Sequence, residues 1–289
     1  MTLIHTTVLL HESIDGLNVH EGTVYLDGTL GSGGHAEYAQ QKGAKIIGLD
    51  QDLEAIERSK KRLDKNTIFI NESYRNLDIA LQSINIEKID AFMLDLGLSS
   101  DQFETSGRGF TFQKDEPLLM TFKKNPTEED LTAEEIVNTW DEANIADIIY
   151  GYGDERYSRR IAKSIVESRP IKTTFELVEA VKLGTPSAYH RGRIHPATKT
   201  FQALRITVND EINTLKEGLR KGFEALNVGG RMAVISFHSI EDRVTKRFFK
   251  EKQNEANILT KKPIVPSDEE RIRNPRSRSA KLRIIEKSN

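Results

Sequence analysis

The sequence runs to 289 residues, 37% hydrophobic and 30% charged, a balance that fits a soluble globular chain and excludes a disordered one. It contains no cysteine, which rules out disulfides and thiolate metal centres, and no apolar run nears the roughly 18 residues that span a bilayer. A formal net charge of −2 excludes a chain that binds nucleic acid over its whole surface.

The first residues, Met1-Thr2-Leu3-Ile4-His5, lack the charged lead and apolar stretch of a secretory signal, so a cytoplasmic location is expected. From Thr23 to Asp95, β-rich runs alternate with helical ones. Val24-Tyr25-Leu26 ends at Asp27, Lys45 to Leu49 ends at Asp50, Thr67 to Ile70 forms a third run, and Ala91 to Leu94 ends at Asp95. Between them, Leu53, Ile56 and Leu63, then Leu77, Leu81 and Ile84, fall at helical spacing. This rhythm predicts right-handed βαβ units and a parallel, doubly wound α/β sheet. After Ser100 the alternation stops. Thr132-Ala133-Glu134-Glu135 and Thr173-Thr174-Phe175-Glu176 both read as capping boxes, and a further helix is expected from Asp154 until Pro170 ends it. Residues 104–197 therefore read as a helical insertion, with 1–103 and 198–289 forming the core. A long helix from Thr198 to Leu226, a Gly229-Gly230 turn, a strand from Met232 to Phe237, a helix from Ile240 to Lys250 and a closing edge strand Lys281 to Ile285 complete the pattern.

The turn after the first strand reads Asp27-Gly28-Thr29-Leu30-Gly31-Ser32-Gly33-Gly34-His35. Glycines there let backbone and ligand approach at the carboxyl end of a strand, where doubly wound folds bind cofactors. The spacing is neither the dinucleotide pattern G-x-G-x-x-G nor a phosphate loop. An acid at the strand end, Asp27, suits a cationic aminoacyl group better than a pyrophosphate. Asp50 ends the second strand, where a carboxylate can accept both hydroxyls of an adenosine ribose or simply cap the next helix. Tyr74 can stack on adenine or pack in the core. Asp95, followed by Leu96 to Gln102, stands where a cofactor or an amine acceptor would lie. His35, inside the loop, is placed for a cofactor contact, and His238 for the substrate. The histidines form no closely spaced pair, so no metal is expected.

Charge is unevenly spread. No acid lies between Glu179 and Asp210, a stretch that holds Lys182, Arg191, Arg193, Lys199 and Arg205. From Arg271 onward, seven Lys or Arg face the single acid Glu286. Both stretches read as a localised polyanion site or as solvated surface.

Nearly end to end, the chain resembles the bacterial 16S ribosomal RNA cytosine-N4 methyltransferases (the RsmH or MraW family). The resemblance is carried by His5 to Leu10, Asp27 to His35, Leu94 to Ser100, Arg108-Gly109-Phe110, Tyr152 to Arg156, His195 to Arg205, Ser236 to Arg243 and Asn274 to Ser279. It implies a Rossmann-like class I methyltransferase core with an inserted helical, substrate-recognition domain, and S-adenosyl-L-methionine as co-substrate. It further implies cofactor contacts at Gly33, Gly34, His35, Asp50, Tyr74, Asp95 and Gln102, and a decoding-region cytosine of the small ribosomal subunit as acceptor. The family pattern after Pro117-Leu118 is Asp-Met-Arg-Met, whereas this chain has Leu119-Met120-Thr121-Phe122. The alternatives that this departure leaves are another RNA substrate, or an RNA-binding ribosome-assembly factor without turnover. Asp95, Ser99 and His238 all stand as acceptors for a hydrogen of the amine.

Overall fold

The computed structural model describes residues 7–97, 106–123, 126–127 and 129–288, arranged as two compact units. Unit 1 is Met1–Gly97 with Ile212–Asn289, and unit 2 is Leu98–Glu211.

Unit 1 is a seven-stranded sheet. Its strands are β1 (Val24–Asp27), β2 (Lys45–Leu49), β3 (Ile68–Ile70), β4 (Ile89–Asp95), β5 (Leu226–Ser236), β6 (Ala256–Ile258) and β7 (Lys281–Lys287), in the order β3-β2-β1-β4-β5-β7-β6. The first five are mutually parallel, and β7 runs antiparallel to β5 and β6. Both faces are buried, which explains the continuous apolar runs. Successive residues feed opposite faces: Tyr25, Ala91, Met93, Ala233 and Ile235 enter one core, Leu26, Phe92, Leu94, Met232 and Val234 the other. Helices α1 (Leu10–Gly16) and α2 (Gly34–Gln41) supply the first core; α4 (Leu77–Ser83), α10 (Glu211–Ala225) and α11 (Ser239–Glu251) supply the second. α3 (Leu53–Ser59) follows β2, with Asp52 as N-cap accepting from Glu54 N at 2.9 Å. The strand order reverses between β1 and β4, the switch point at which doubly wound sheets bind ligands.

Unit 2 is helical. α5 (Ala133–Thr139), α6 (Glu142–Gly153), α7 (Ser158–Glu167), α8 (Thr174–Leu183) and α9 (Thr198–Val208) surround one core that includes Ile136, Ile149, Ile165, Leu177, Val181 and Leu204. α7 shows why: Ile161, Ala162 and Ile165 are buried while Arg159, Arg160 and Lys163 face outward. α8 opens on a complete capping box between Thr173 and Glu176. The Thr132 hydroxyl likewise accepts from Glu135 N at 3.1 Å at the start of α5.

Five expectations change. The long helix from Thr198 to Leu226 is two helices, broken at Asn209 and Asp210, where Asp210 adopts a φ of 47°. α9, read from sequence as core, groups with unit 2, as does everything from Leu98. The helix expected from Asp154 begins at Ser158, because Asp154 ends α6 in a left-handed conformation. β7 is no edge strand: β6 pairs outside it, and the Gly229-Gly230 turn is an irregularity within β5, where the register shifts between Ile89 and Ala91.

Candidate active site at the strand ends

The Gly-rich turn joins β1 to α2. Gly33 is the N-cap of α2 at φ 78°, a left-handed conformation that costs other residues about 1–2 kcal/mol. At Gly34 the reason is crowding, since a Cβ there would lie 1.9 Å from Thr7 Oγ1. The segment just before α1 thus packs onto the turn. His35 confirms the contact: its Nε2 lies 3.1 Å from the Val8 carbonyl, and its Nδ1 faces Asp95 Oδ2 at 3.8 Å. With Nε2–H donating to Val8, Nδ1 is left toward the carboxylate.

Asp27, Asp50 and Asp95 come together here. Each stands at a strand end, and they differ in how their oxygens are satisfied. Asp27 accepts from Thr29 N at 3.1 Å and from the Tyr25 hydroxyl at 3.2 Å. Asp50 accepts from Gly31 N and Asp52 N, both at 2.8 Å, so it holds the turn and the approach to α3 at once. The cap of α3 is Asp52, which overturns the capping alternative for Asp50. Asp95 offers its backbone N–H to Thr29 Oγ1 at 2.7 Å, but its Oδ1 is buried without a hydrogen-bond partner among the described residues.

Burial dominates the electrostatics. It pushes Asp27 up to about 7, against the bonds from Thr29 and Tyr25 that pull it down. Asp50 rises to about 6 by burial, opposed by the two backbone N–H groups. Asp95 is raised well above the ordinary carboxylate range by burial, then by the charges of Asp27 and Glu241. A cluster of buried acids that resist ionisation is complementary to a cation. That fits S-adenosylmethionine, whose sulfonium and ammonium are both positive, and the orphaned Asp95 oxygen is the atom most in need of a partner.

Tyr74 lies on a 3₁₀ turn (Tyr74–Asn76) beside the Gly-rich turn, 3.2 Å from where a Cβ on Gly28 would sit. Its ring also fills the space over Gly218 of α10, whose Cβ would come within 2.3 Å of Tyr74 Cδ2. The packing alternative therefore accounts for part of this side chain. Gln102 and Ser99 lie outside the described residues. His238 is the N-cap of α11, forming a capping box with Glu241, whose N–H reaches His238 Nδ1 at 3.3 Å. Its Nε2 is 3.0 Å from Glu241 Oε1 yet off the line of a hydrogen bond, so the contact is a close approach only. The ring is committed to the helix end, and its reading as a substrate-facing group is not supported. Thr7, Val8 and Glu241 fall in the blocks that carry the resemblance, but what they touch was not read from the sequence because it depends on segments remote from the turn.

The basic stretches are also partly spent. Arg205 makes two bonds to Glu211, at 2.7 and 2.8 Å, with both side chains largely buried. Lys199 donates to the Asp154 carbonyl at 2.7 Å and lies 3.8 Å from buried Glu155. Near the C-terminus, Arg283 and Lys281 both bond Asp242, Arg271 bonds Asp268, and Lys287 reaches the carbonyls of Phe223, Glu224 and Leu226. Only part of each stretch is available to an anion. The departing segment 119–122 packs inward: Met120 and Thr121 are buried, and Phe122 stacks on Phe110 with centroids 5.8 Å apart.

A parallel sheet reversing between β1 and β4, a Gly-rich turn and a cluster of strand-end acids define an S-adenosylmethionine-dependent methyltransferase of the doubly wound class. The model of the MraW methylase family matches residues 2–288, and the chain belongs to that family. Ribosomal RNA small subunit methyltransferase H of Clostridium botulinum (strain Kyoto / Type A2) is 42% identical, over 99% of this chain and 100% of its own length. The protein of the same name from Kosmotoga olearia is 45% identical over 98% of this chain and 97% of its own. That from Synechococcus elongatus is 46% identical over 98% and 94%. Among solved structures, an rRNA methylase from Streptococcus thermophilus is similar at 14% identity, with 99% of this chain and 100% of that one covered and a TM-score of 0.49.

Proposed function

We propose that this methyltransferase acts on 16S ribosomal RNA, transferring the methyl group of S-adenosylmethionine to N4 of a cytosine in the decoding region. The observation that carries the reading is identity of 42–46% to proteins named ribosomal RNA small subunit methyltransferase H, sustained over nearly the whole chain. A ribosomal substrate and a cysteine-free sequence fit the cytoplasm, and no helix among the described residues is long and apolar enough to cross a membrane.

In this reading Gly33, Gly34, His35, Asp50, Tyr74, Asp95 and Gln102 surround the donor. The donor supplies an electrophilic carbon that needs no activation. The cytosine amine is a weak nucleophile because its lone pair is delocalised into the ring, so the protein acts chiefly by positioning. Asp50 takes the ribose hydroxyls with the lone pairs left free by Gly31 and Asp52. Asp95 has an oxygen without a hydrogen-bond partner among the described residues and is the described group best placed to accept a hydrogen of the amine, since His238 is held in its cap. The target base has to leave its stack to reach such a site. Unit 2 acts as the substrate-recognition part.

The test is transfer of a labelled methyl group to small subunits lacking the modification, followed by nucleoside identification. N4-methylcytidine is the expected product. Label in protein, or in another base, overturns the reading; RNA binding without any label favours an assembly factor.

A further inference from the structure

Unit 2 carries a surface that the strand-end site does not explain and that adds aromatic planes and the arginines around α7 to Arg191 and Arg193 of the basic stretch. Just before α7, the Arg156 guanidinium lies 4.7 Å from the Tyr157 ring centroid and 5.7 Å from that of Tyr189. The two rings meet edge to face at 5.1 Å, and Arg160 lies 5.9 Å over Tyr157. Beneath them Glu155 is fully buried, accepting from the Tyr189 hydroxyl and from Tyr157 N. That buried carboxylate fixes the loop carrying Tyr189 against the start of α7.

The loop continues as an exposed run, Ser187 to His195, interrupted only by half-buried Tyr189. Arg191 and Arg193 stand out in it, and neither they nor Arg156, Arg159 or Arg160 have an ion-pair partner among the described residues. His195 stacks on Phe112 with centroids 4.5 Å apart and planes 17° apart, leaving an exposed imidazole. Burial and the nearby charges of Lys182 and His190 hold that ring below the ordinary histidine range, so it is neutral at pH 7 and offers a flat face. The acids at the margin are engaged: Glu155 as above, and Glu179 with Lys182 at 2.7 Å.

We infer that this face of unit 2 grips a single RNA strand, with Arg191, Arg193 and Arg159 on phosphates and the Arg156–Tyr157–Tyr189 cluster and His195 as platforms for unstacked bases. Guanidinium and aromatic planes are what unpaired bases stack on, and exposed arginines without acids supply the phosphate contacts. Duplex RNA, whose bases are already stacked, has no use for the platforms. The inference rests on the proposed RNA substrate but names a surface remote in sequence from the strand-end acids.

Binding of a fluorescein-labelled oligocytidylate to the full chain, measured across a salt series, tests it. Arg191→Ala with Arg193→Ala is expected to weaken binding at least tenfold and to make the salt slope shallower by about 1.4 units, at about 0.7 for each phosphate no longer neutralised. Arg156→Lys and Arg156→Ala both remove the plane that stacks on a base and no phosphate contact, so each is expected to weaken binding several-fold with the slope unchanged. S-adenosylhomocysteine affinity and melting temperature, followed in every variant, are expected to stay at the parent value. Parent-like binding and slope in the arginine variants overturns the surface, as does equal affinity for a duplex of similar length or no RNA binding by the parent. A parent that binds RNA through these residues yet puts no methyl on it overturns the proposed function alone.

Discussion

Asp27 and Asp50 give the site a pH dependence opposite in sign to that of an ordinary ion-paired acid. Their folded values, about 7 and about 6, exceed those of the unfolded chain, so between pH 4 and 7 the folded state binds more protons. Their contribution to donor-free stability is largest at the acid end of that window and is lost as pH rises through it. A bound cation reverses this by favouring the ionised carboxylates. Donor affinity is therefore expected to rise with pH between about 5.5 and 7.5, with protons released on binding. Calorimetry near pH 6.5, in two buffers of different ionisation enthalpy, should show different apparent enthalpies; identical ones would mean that the acids do not meet the cation. Asp50→Ala should weaken S-adenosylhomocysteine roughly tenfold to a hundredfold, for the removal of two hydrogen bonds. Arg205 belongs to the same scale. Its paired bonds to Glu211 predict that Arg205→Ala lowers stability by about 2 kcal/mol and leaves the salt dependence of RNA binding untouched. A shallower salt slope would place this arginine on phosphate instead. The acids were legible in the sequence because each ends an apolar run. The spent arginine was not, since a basic residue looks the same whether it faces solvent or a carboxylate six positions on.

Among the elements, α9 and α10 show how local grammar can mislead. Helical spacing runs through Asn209 and Asp210 without a proline or glycine to stop it, so sequence reads one helix. The break is made by tertiary bonds within unit 2: Asn209 Oδ1 accepts from Phe122 N at 2.8 Å, and its Nδ2 donates to the Met120 carbonyl at 2.8 Å and to Arg205 O at 2.9 Å. Asn209→Ala should cost about 2–3 kcal/mol, because two backbone groups of the 120–122 segment are left without their partner. Thermal unfolding checks it, and a shift under a degree would show that water replaces the amide. The α8 cap, by contrast, was visible as Thr173 and Glu176, and Thr173→Ala should cost about 1 kcal/mol. β7 was recognisable as a strand but not as an interior one, since β6, only Ala256–Ile258, is too short to announce itself.

At the scale of the whole molecule, each unit buries its own core, and no buried residue of the helical cluster belongs to the sheet clusters. Replacing 98–211 by a Gly/Ser linker is expected to leave a folded sheet that binds S-adenosylhomocysteine and methylates no RNA. A random-coil circular dichroism spectrum would mean that the units do not fold apart. The doubly wound class was readable from strand rhythm, whereas the boundary was not, because α9 and α10 continue one periodicity across it. That boundary has a kinetic side. β4 and β5 are hydrogen-bonded neighbours, Asp95 beside Ile235, yet all of unit 2 lies between them in the chain. Closing so long a loop of free chain carries an entropic cost that grows with the logarithm of its length, and non-local pairings of this kind are slow to form. Helices held by local interactions collapse sooner, which shortens the free chain still to be closed. The sheet's central seam is thus expected to be the late event in folding, with the helical part of a nascent chain finished before its catalytic half zips shut.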